Sequence, residues 1–219
     1  MSIFCFDLDG TIFNSLEGIY YSLNYACQKY NLTLIPKKEF KNHIGPPLKS
    51  YLKSVINSNI NDQIIPEIIK EFRLHHDNEG YKYYKIYPKM IEVLRLLKND
   101  NDLFILTNKP FNITCKSIEF FKLNKFFEEY FCPDKSSIFI KGWSKGGLKS
   151  KNNYLRYLDL NTRKKIKKYF VGDTISDYFA TKESCFEFIY ASYGYGNNIN
   201  FNNMHTINKP SDLERFLKE

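Results

Sequence analysis

The stretch that decides the fold is Ser2-Ile3-Phe4-Cys5-Phe6, which runs directly into Asp7-Leu8-Asp9-Gly10-Thr11. After Ser2 the first half is continuously apolar, a pattern typical of a short strand that is buried on both faces of a sheet. The second half is acidic and contains a glycine, which indicates a polar turn immediately after the strand. We therefore predict a central strand that carries Asp7 and Asp9 at its carboxyl end.

Three further apolar runs end in polar or glycine-containing turns in the same way. They lie at residues 102–106, 168–171 and 186–191. Helical spacing of apolar residues separates or follows them, at 90–98, 112–123, 152–160, 175–184 and 211–217. Strands that alternate with helices predict a doubly wound α/β fold with a parallel sheet, in which ligands bind at the carboxyl ends of the strands.

One long stretch, residues 15–85, lacks a convincing buried strand and instead carries helical spacing at 16–30, 48–56 and 63–81. We predict that it forms an α-helical domain inserted after the first strand. Residues 1–14 and 86–219 would then form a discontinuous core domain. The stretch 133–150 stays unassigned, although Ile138-Phe139-Ile140 within it fits a short strand.

The composition is that of a globular protein, with 219 residues, 43% hydrophobic and 26% charged. A net charge of +8 invites a nucleic-acid interpretation. However, the lysines are spread among Asn, Ile, Phe and Tyr, as A+T-rich coding would produce, and the basic clusters at 141–151 and 163–168 lack a recognisable groove-reading motif. We therefore expect a solvated basic surface and no nucleic-acid partner.

Two features of the sequence indicate a cytoplasmic protein with no membrane partner. No apolar run reaches the roughly 18 to 20 residues that span a bilayer, and the first residues lack the basic region of a signal peptide. The five cysteines are scattered and contain no C-x-x-C pair. They predict reduced thiols, not a disulfide framework or a zinc site.

The acidic residues predict a metal site at the carboxyl edge of the sheet. Two carboxylates at the end of one strand, Asp7 and Asp9, repel each other unless a cation or a proton transfer compensates them. Asp173 follows another predicted strand, and Asp177 lies one helical turn beyond it on the same side. Three or four converging carboxylates predict a hard divalent ion, with Mg²⁺ the default.

Two other residues fit the binding of phosphate. Thr107 ends a predicted strand just before a helix, where a hydroxyl and neighbouring backbone N–H groups favour an anion. Lys151 opens the helix before the Asp173 strand, and its ammonium can neutralise a phosphoryl oxygen. Lys145 and Lys149 are the alternatives. We favour Lys151 because helical spacing continues from it, and because the 22 positions from 151 to 173 accommodate one helix and one strand.

These motifs together resemble the haloacid dehalogenase-like (HAD) hydrolases over essentially the whole chain. The four motifs are 6–11, 106–108, Lys151 and 172–177, and the helical insert looks like the C1 cap of that family. Further stretches are similar to the phosphoglycolate phosphatase-like branch, namely 44–48, Gly80, Tyr87-Pro88, 107–110 and 194–196. The sequence departs from that branch at Lys89, where glycine is common, and at 178–182, which lacks the usual small residues.

The resemblance implies a two-step phosphatase mechanism. Asp7 would attack phosphorus and form an aspartyl-phosphate, while Asp9 would protonate the leaving alcohol and then deprotonate the attacking water. The remaining roles are Mg²⁺ binding and phosphate binding. The first is assigned to Asp7, the backbone carbonyl of Asp9, Asp173 and Asp177, and the second to Thr107, Asn108 and Lys151.

The substrate is left open, because in the family the cap domain selects it. We expect a small-molecule phosphate ester such as phosphoglycolate, a nucleotide or a sugar phosphate, with Lys49, Arg73 and His75 as cap candidates for specificity. The presence of Asp9 argues against a dehalogenase, whose halide leaving group needs no proton. The alternatives are a sugar-phosphate mutase of the same superfamily and a non-catalytic basic binding module on this scaffold. The oligomeric state is open.

Overall fold

The structure of the protein is a computed structural model that describes residues 1–45, 48–57, 60–134, 150–162, 165–196 and 204–218. The strands are Ile3–Phe6 (β1), Phe13–Asn14 (β2), Lys85–Ile86 (β3), Asp102–Leu106 (β4), Glu129–Phe131 (β5), Lys168–Gly172 (β6), Glu187–Ala191 (β7) and His205–Ile207 (β8). The α-helices are Leu16–Gln28 (α1), Lys37–Phe40 (α2), Leu48–Val55 (α3), Ile65–His76 (α4), Met90–Lys98 (α5), Phe111–Phe120 (α6), Lys151–Asn161 (α7) and Ile175–Thr181 (α8). Short 3-10 helices lie at Lys41–His43, Asp62–Ile64, Gly80–Tyr83, Asn124–Phe126 and Pro210–Lys218.

The main sheet has six strands within the described residues, in the order β5-β4-β1-β6-β7-β8. Every neighbouring pair is parallel. The chain builds outward from β1 on one side through β4 and β5, and then on the other side through β6, β7 and β8. Since parallel crossovers are right-handed, this order distributes helices over both faces of the sheet. The prediction of a parallel α/β fold is therefore confirmed.

The central strands are apolar along most of their length because both faces of the sheet are covered. Phe4 and Tyr169 stack with ring centroids 4.9 Å apart, and both are buried. Cys5 and Phe170 belong to a different buried cluster, which also contains Phe188. Successive side chains of a strand point to opposite faces, so the alternation of these two groups accounts for the unbroken hydrophobic runs.

The register of the sheet brings three polar turns to the same edge. Phe6 of β1 pairs with Ile105 of β4 and with Val171 of β6, so these three strands end at nearly the same level. The ladder continues past the strand, because the Asp7 N–H donates to the Val171 carbonyl at 2.9 Å. The residues that follow these strands are therefore neighbours at the carboxyl edge.

The chain divides into two compact units, one made of Met1–Phe13 with Ile86–Glu219 and the other of Asn14–Lys85. The first unit contains the main sheet. The second is helical, with α1 packed against α4 and with Leu23 and Ile68 fully buried. The insert predicted at 15–85 differs from this second unit by one residue at its amino end.

Several local predictions differ from the structure. The short strands β5 and β8 have no counterpart among the predicted elements, and the helix predicted at 211–217 is a 3-10 helix. Helix α4 ends at His76 instead of residue 81. Lys89 has a φ of +68°, a left-handed conformation that glycine adopts without steric cost. The possible strand at 138–140 lies outside the described residues.

The sequence also led to expectations about membrane-spanning helices and about the cysteines. In the part of the chain that the structure describes, no helix combines the length and the apolar character needed to cross a bilayer. All five cysteines are free thiols, and three of them, Cys5, Cys27 and Cys132, are buried.

Candidate active site

Three buried aspartates meet at the carboxyl edge of the sheet. Asp7 follows β1, Asp173 follows β6, and Asp177 lies in the first turn of α8. One carboxylate oxygen from each residue lies within 4.8 Å of those from the other two. Asp7 is 6% exposed and the other two are fully buried. The neighbouring positions of β1 and β6 bring these carboxylates together despite the long sequence separation.

Lys151 provides a positive charge within this group. It is the first residue of α7, and its Nζ donates to Asp7 Oδ1 at 2.8 Å and to Asp177 Oδ1 at 2.6 Å. Its side chain is 7% exposed. The alternatives that the sequence left open, Lys145 and Lys149, lie outside the described residues.

Asp177 serves the helix and the acidic group with different oxygens. Its Oδ2 accepts hydrogen bonds from the Thr174 backbone N–H at 3.0 Å and from Thr174 Oγ1 at 2.7 Å, which completes a capping box. Its Oδ1 accepts the bond from Lys151. The capping interactions therefore fix the direction in which the other oxygen faces the site.

Asp173 is held by the loop that follows β7 and by the first turn. Its Oδ2 accepts a hydrogen bond from the Tyr195 backbone N–H at 2.7 Å, and Thr11 Oγ1 lies 3.4 Å from its Oδ1. A Cβ atom at Gly10, where φ is +86°, would lie 2.0 Å from Asp173 Oδ2, and one at Gly194 would lie 2.3 Å from Asp173 Cβ. These two glycines let the backbone approach the carboxylate.

The electrostatics of this group show a deficit of positive charge. Burial raises the pKa of Asp7 to about 6; Lys151 opposes this shift and Asp177 adds to it. Burial, followed by repulsion from Asp177 and Asp7, raises the pKa of Asp173 well above its usual range. Burial alone would lower the pKa of Lys151, but the two carboxylates outweigh it and raise that pKa. One ammonium does not compensate three buried carboxylates.

The donor set fits a hard divalent cation. Asp7, Asp173 and Asp177 offer carboxylate oxygens from close positions, and Mg²⁺ prefers such oxygens to nitrogen or sulfur. A cation would also supply the positive charge that the site lacks. The fourth predicted aspartate, Asp9, is placed differently, because its carboxylate is engaged by another lysine.

Lys109 pairs with Asp9 and was missed as a site residue by the sequence analysis. Its Nζ lies 2.8 Å from Asp9 Oδ2, and its side chain is 6% exposed. It comes two residues after Thr107, in the turn between β4 and α6. Its position in the stretch 107–110 was the available signal, but nothing in the sequence alone distinguished it from the many surface lysines.

Thr107 and Asn108 have different environments at the end of β4. Thr107 is 3% exposed, and its Oγ1 accepts a hydrogen bond from the Lys109 backbone N–H at 3.2 Å, whereas Asn108 is exposed. At the start of α6 the Phe111 N–H donates to Asp134 Oδ1 at 2.8 Å. The Phe111 N–H at this helix start is therefore occupied by a carboxylate of the chain itself, and the role of Thr107 and Asn108 in phosphate binding stays a prediction.

The three candidate specificity residues belong to the helical unit. Lys49 on α3 and Arg73 on α4 are exposed. His75 Nδ1 lies 3.1 Å from Ser22 Oγ, its ring centroid is 4.3 Å from that of Tyr25, and burial lowers its pKa. Their role in specificity stays a prediction.

The fold and the site define an α/β enzyme core with an acidic centre at the carboxyl edge of a parallel sheet. The model of the haloacid dehalogenase-like hydrolase family matches residues 4–191, so the chain belongs to that family. This match confirms the resemblance inferred from the motifs and the prediction of a hydrolytic enzyme.

Similar proteins agree with the family match over nearly the full length. A phosphoglycolate phosphatase from Aquifex aeolicus is 25% identical, covering 99% of this chain and 97% of the relative. One from Haemophilus influenzae is 26% identical, with 89% and 87% covered. The structure of a haloacid dehalogenase-like hydrolase from Streptococcus pneumoniae, 19% identical, covers 99% of this chain and 98% of its own with a TM-score of 0.83, which supports the fold.

Proposed function

We propose that this hydrolase is a Mg²⁺-dependent phosphatase that hydrolyses a small phosphorylated metabolite through an aspartyl-phosphate on Asp7. The observation that carries the proposal is the position of Asp7. It lies at the end of the central strand, beside two other buried carboxylates, with the Lys151 ammonium 2.8 Å from its Oδ1. An anionic phosphoryl group can approach such a carboxylate when positive charge is present at the same point.

The protein's own residues divide the two chemical steps. Asp7 attacks phosphorus, and Asp9 gives a proton to the leaving oxygen and later takes one from the attacking water. Lys151, Thr107 and Asn108 bind the phosphoryl oxygens, where Lys151 spreads the negative charge of the transition state. The buried position of Thr107 and Lys151 suits groups that have to be held in place before the substrate arrives.

Asp7, Asp173, Asp177 and the Asp9 carbonyl would hold Mg²⁺. When bound, the ion neutralises the carboxylates and polarises the phosphoryl oxygens. One carboxylate oxygen of Asp177 caps α8, and the other accepts a hydrogen bond from Lys151. Because both oxygens already have partners, we assign Asp177 a supporting role towards the ion or its waters. The Tyr195 N–H donates a hydrogen bond to the Asp173 carboxylate and orients it without help from the ion.

Phosphoglycolate is the first substrate to test, because two relatives that span most of the chain are named phosphoglycolate phosphatases. Nucleotides and sugar phosphates are the other candidates. Lys49, Arg73 and His75 are proposed to influence the choice among them. The free cysteines suit a reducing compartment, which supports our inference of a cytoplasmic location.

A panel of phosphorylated metabolites, assayed for phosphate release with and without Mg²⁺, tests the proposal. We expect Mg²⁺-dependent release from at least one small ester and a loss of more than about 1,000-fold in Asp7→Asn, which lacks the nucleophile. Asp102→Asn is the matched control, since Asp102 begins β4 at the opposite edge of the sheet. It should keep its activity.

Three outcomes would contradict the proposal. Near-normal hydrolysis of p-nitrophenyl phosphate by Asp7→Asn would exclude the aspartyl-phosphate. Interconversion of hexose phosphates that outpaces phosphate release would favour the mutase. Salt-sensitive binding to DNA or RNA without turnover of any ester would favour the basic binding module.

A further inference from the structure

The two carboxylate oxygens of Asp9 lie in different environments. Oδ2 is 2.8 Å from the Lys109 ammonium, and the side chains of Asp9 and Lys109 are 22% and 6% exposed. Among the described residues, Oδ1 of Asp9 is a buried side-chain oxygen with no hydrogen-bond partner. One oxygen is therefore fixed by the protein, while the other is buried and unsatisfied.

The local structure holds Lys109 in this position. The Lys109 N–H donates to Thr107 Oγ1, which ties the lysine to the end of β4. Pro110 follows and α6 begins at Phe111, so the turn has little freedom. Since β4 is the direct neighbour of β1, the turn after β4 lies beside Asp9.

A second buried lysine pair shows what a structural ion pair looks like in this chain. Lys168 Nζ lies 2.6 Å from Asp159 Oδ1, and the Cys185 N–H lies 3.3 Å from Asp159 Oδ2. Both oxygens of Asp159 have protein donors. A buried oxygen without a partner carries a desolvation cost, so proteins usually satisfy such atoms unless a ligand does so. The unsatisfied Oδ1 of Asp9 departs from this pattern.

We propose that Lys109 is a positioning residue for proton transfer, which fixes Asp9 through Oδ2 so that Oδ1 exchanges the proton with the leaving oxygen. This inference rests on the phosphatase proposed above. In this proposal the leaving oxygen of the substrate is the hydrogen-bond partner that Asp9 Oδ1 lacks among the described residues of the free protein. Lys109 itself touches neither the substrate nor the reacting atoms.

The proton and electron balance is as follows. In the first step the Asp7 carboxylate forms a bond to phosphorus, the bond from phosphorus to the ester oxygen breaks, and the proton on Asp9 Oδ1 moves to that oxygen, which leaves as an alcohol. In the second step water attacks phosphorus, one of its protons moves to Asp9 Oδ1, and the Asp7 carboxylate leaves. The products are hydrogen phosphate and the original enzyme.

Aryl phosphates that differ in the acidity of the leaving phenol test this role in the Mg²⁺-loaded full chain. Phenol is a poor leaving group that needs the proton, and 2,4-dinitrophenol is a good one that does not. For Lys109→Met we expect kcat/KM to fall about 30-fold or more on phenyl phosphate and less than about 3-fold on 2,4-dinitrophenyl phosphate. This parameter reports the steps through leaving-group departure, so slow hydrolysis of the intermediate does not mask the effect.

Two variants control for packing and charge. Lys109→Arg keeps the cation and should restore most of the wild-type dependence on the leaving group. Lys168→Met removes the buried lysine that pairs with Asp159 and should change kcat/KM equally for all aryl esters. If Lys109→Met is poorly folded by circular dichroism, Lys109→Gln, which keeps a hydrogen-bond donor, takes its place.

Two results would overturn the inference. A uniform loss across the aryl series in Lys109→Met would mean that Lys109 binds the substrate or only supports the fold. If Lys109→Arg does not restore the wild-type dependence of kcat/KM on the leaving group, the ion pair between Lys109 and Asp9 is not the cause of that dependence. A wild-type protein that is inactive on the whole series would overturn the proposed phosphatase and this inference with it, whereas failure of the inference alone leaves an active wild type.

Discussion

The two ends of strand β6 bury charge in opposite ways. At its amino end, Lys168 is 3% exposed and forms an ion pair with Asp159. At its carboxyl end, Asp173 lies within the group of three aspartates, of which Asp7 and Asp177 pair with the Lys151 ammonium. The first end matches one positive charge with one negative charge, and the second does not.

The pKa values of Asp159 and Asp173 accordingly shift in opposite directions. Partial burial alone would raise the pKa of Asp159, but hydrogen bonds from Lys168 and Cys185 outweigh it and lower that pKa. Burial raises the pKa of Asp173, and its acidic neighbours add to the effect. A buried charge whose partner is present is compensated within the fold, whereas an excess of one sign is typical of a site that a ligand completes.

The largest effect is expected at the unbalanced end. Lys151→Met removes the ammonium while keeping most of the side-chain volume, so Asp7 and Asp177 lose their shared partner and the group of three aspartates loses its compensating charge. We expect turnover to fall about 100- to 1,000-fold, because the phosphoryl charge is no longer stabilised. Thermal unfolding with and without Mg²⁺ should show that this variant depends more on the ion for stability than the wild type. Equal dependence in both proteins would contradict the charge deficit.

A smaller effect, on stability and not on chemistry, is expected at the balanced end. Lys168→Met leaves Asp159 without its cation. A broken buried pair costs about 3–5 kcal/mol, but solvent screening of the partly exposed Asp159 reduces the expected loss to about 1–3 kcal/mol. Urea unfolding measures the free energy, and turnover below the unfolding transition should stay within about 3-fold of the wild type. A loss of turnover without a loss of stability in Lys168→Met would contradict this difference between the two ends of β6.

The smallest effect is a change in acid stability. Because the pKa of Asp159 is lower in the folded protein than its ordinary value of 3.8, its carboxylate stabilises the fold above that value. This contribution is lost as the pH falls below 3.8 towards the lowered pKa. Asp159→Asn should therefore be less stable than the wild type between pH 5 and 7, and the difference should shrink below pH 4. Urea unfolding over this range checks the sign, and a difference that stays constant down to pH 3 would rule it out.

Much of the sheet was predictable because its strands are buried on both faces. The predicted strand at 102–106 agrees in both bounds with β4, and those at 168–171 and 186–191 agree within one residue with β6 and β7. Strands β5 and β8 have three residues each, too few to show a periodic pattern. Lys89 shows another limit: lysine rarely adopts a left-handed φ, and the one sign of that conformation was that the resembling branch commonly has glycine at this position.

The grouping of Asp7, Asp173 and Asp177 was predictable because each follows or caps an element at the same sheet edge. Lys109 was not, because its role depends on the distance of its ammonium from Asp9, which the sequence does not encode as a pattern. The double use of Asp177 was also hidden, since a capping residue and a site residue have the same spacing from Thr174. Which oxygen faces which partner requires the structure.

The close approach of Gly10 and Gly194 to Asp173 has a consequence for laboratory evolution. A methyl group at either position would collide with the carboxylate, so these positions should tolerate substitution as poorly as the aspartates themselves. In a library selected for turnover, Gly10 and Gly194 would therefore appear as invariant as the aspartates, although neither glycine takes part in the chemistry. Libraries meant to change substrate preference are better directed away from this wall of the site.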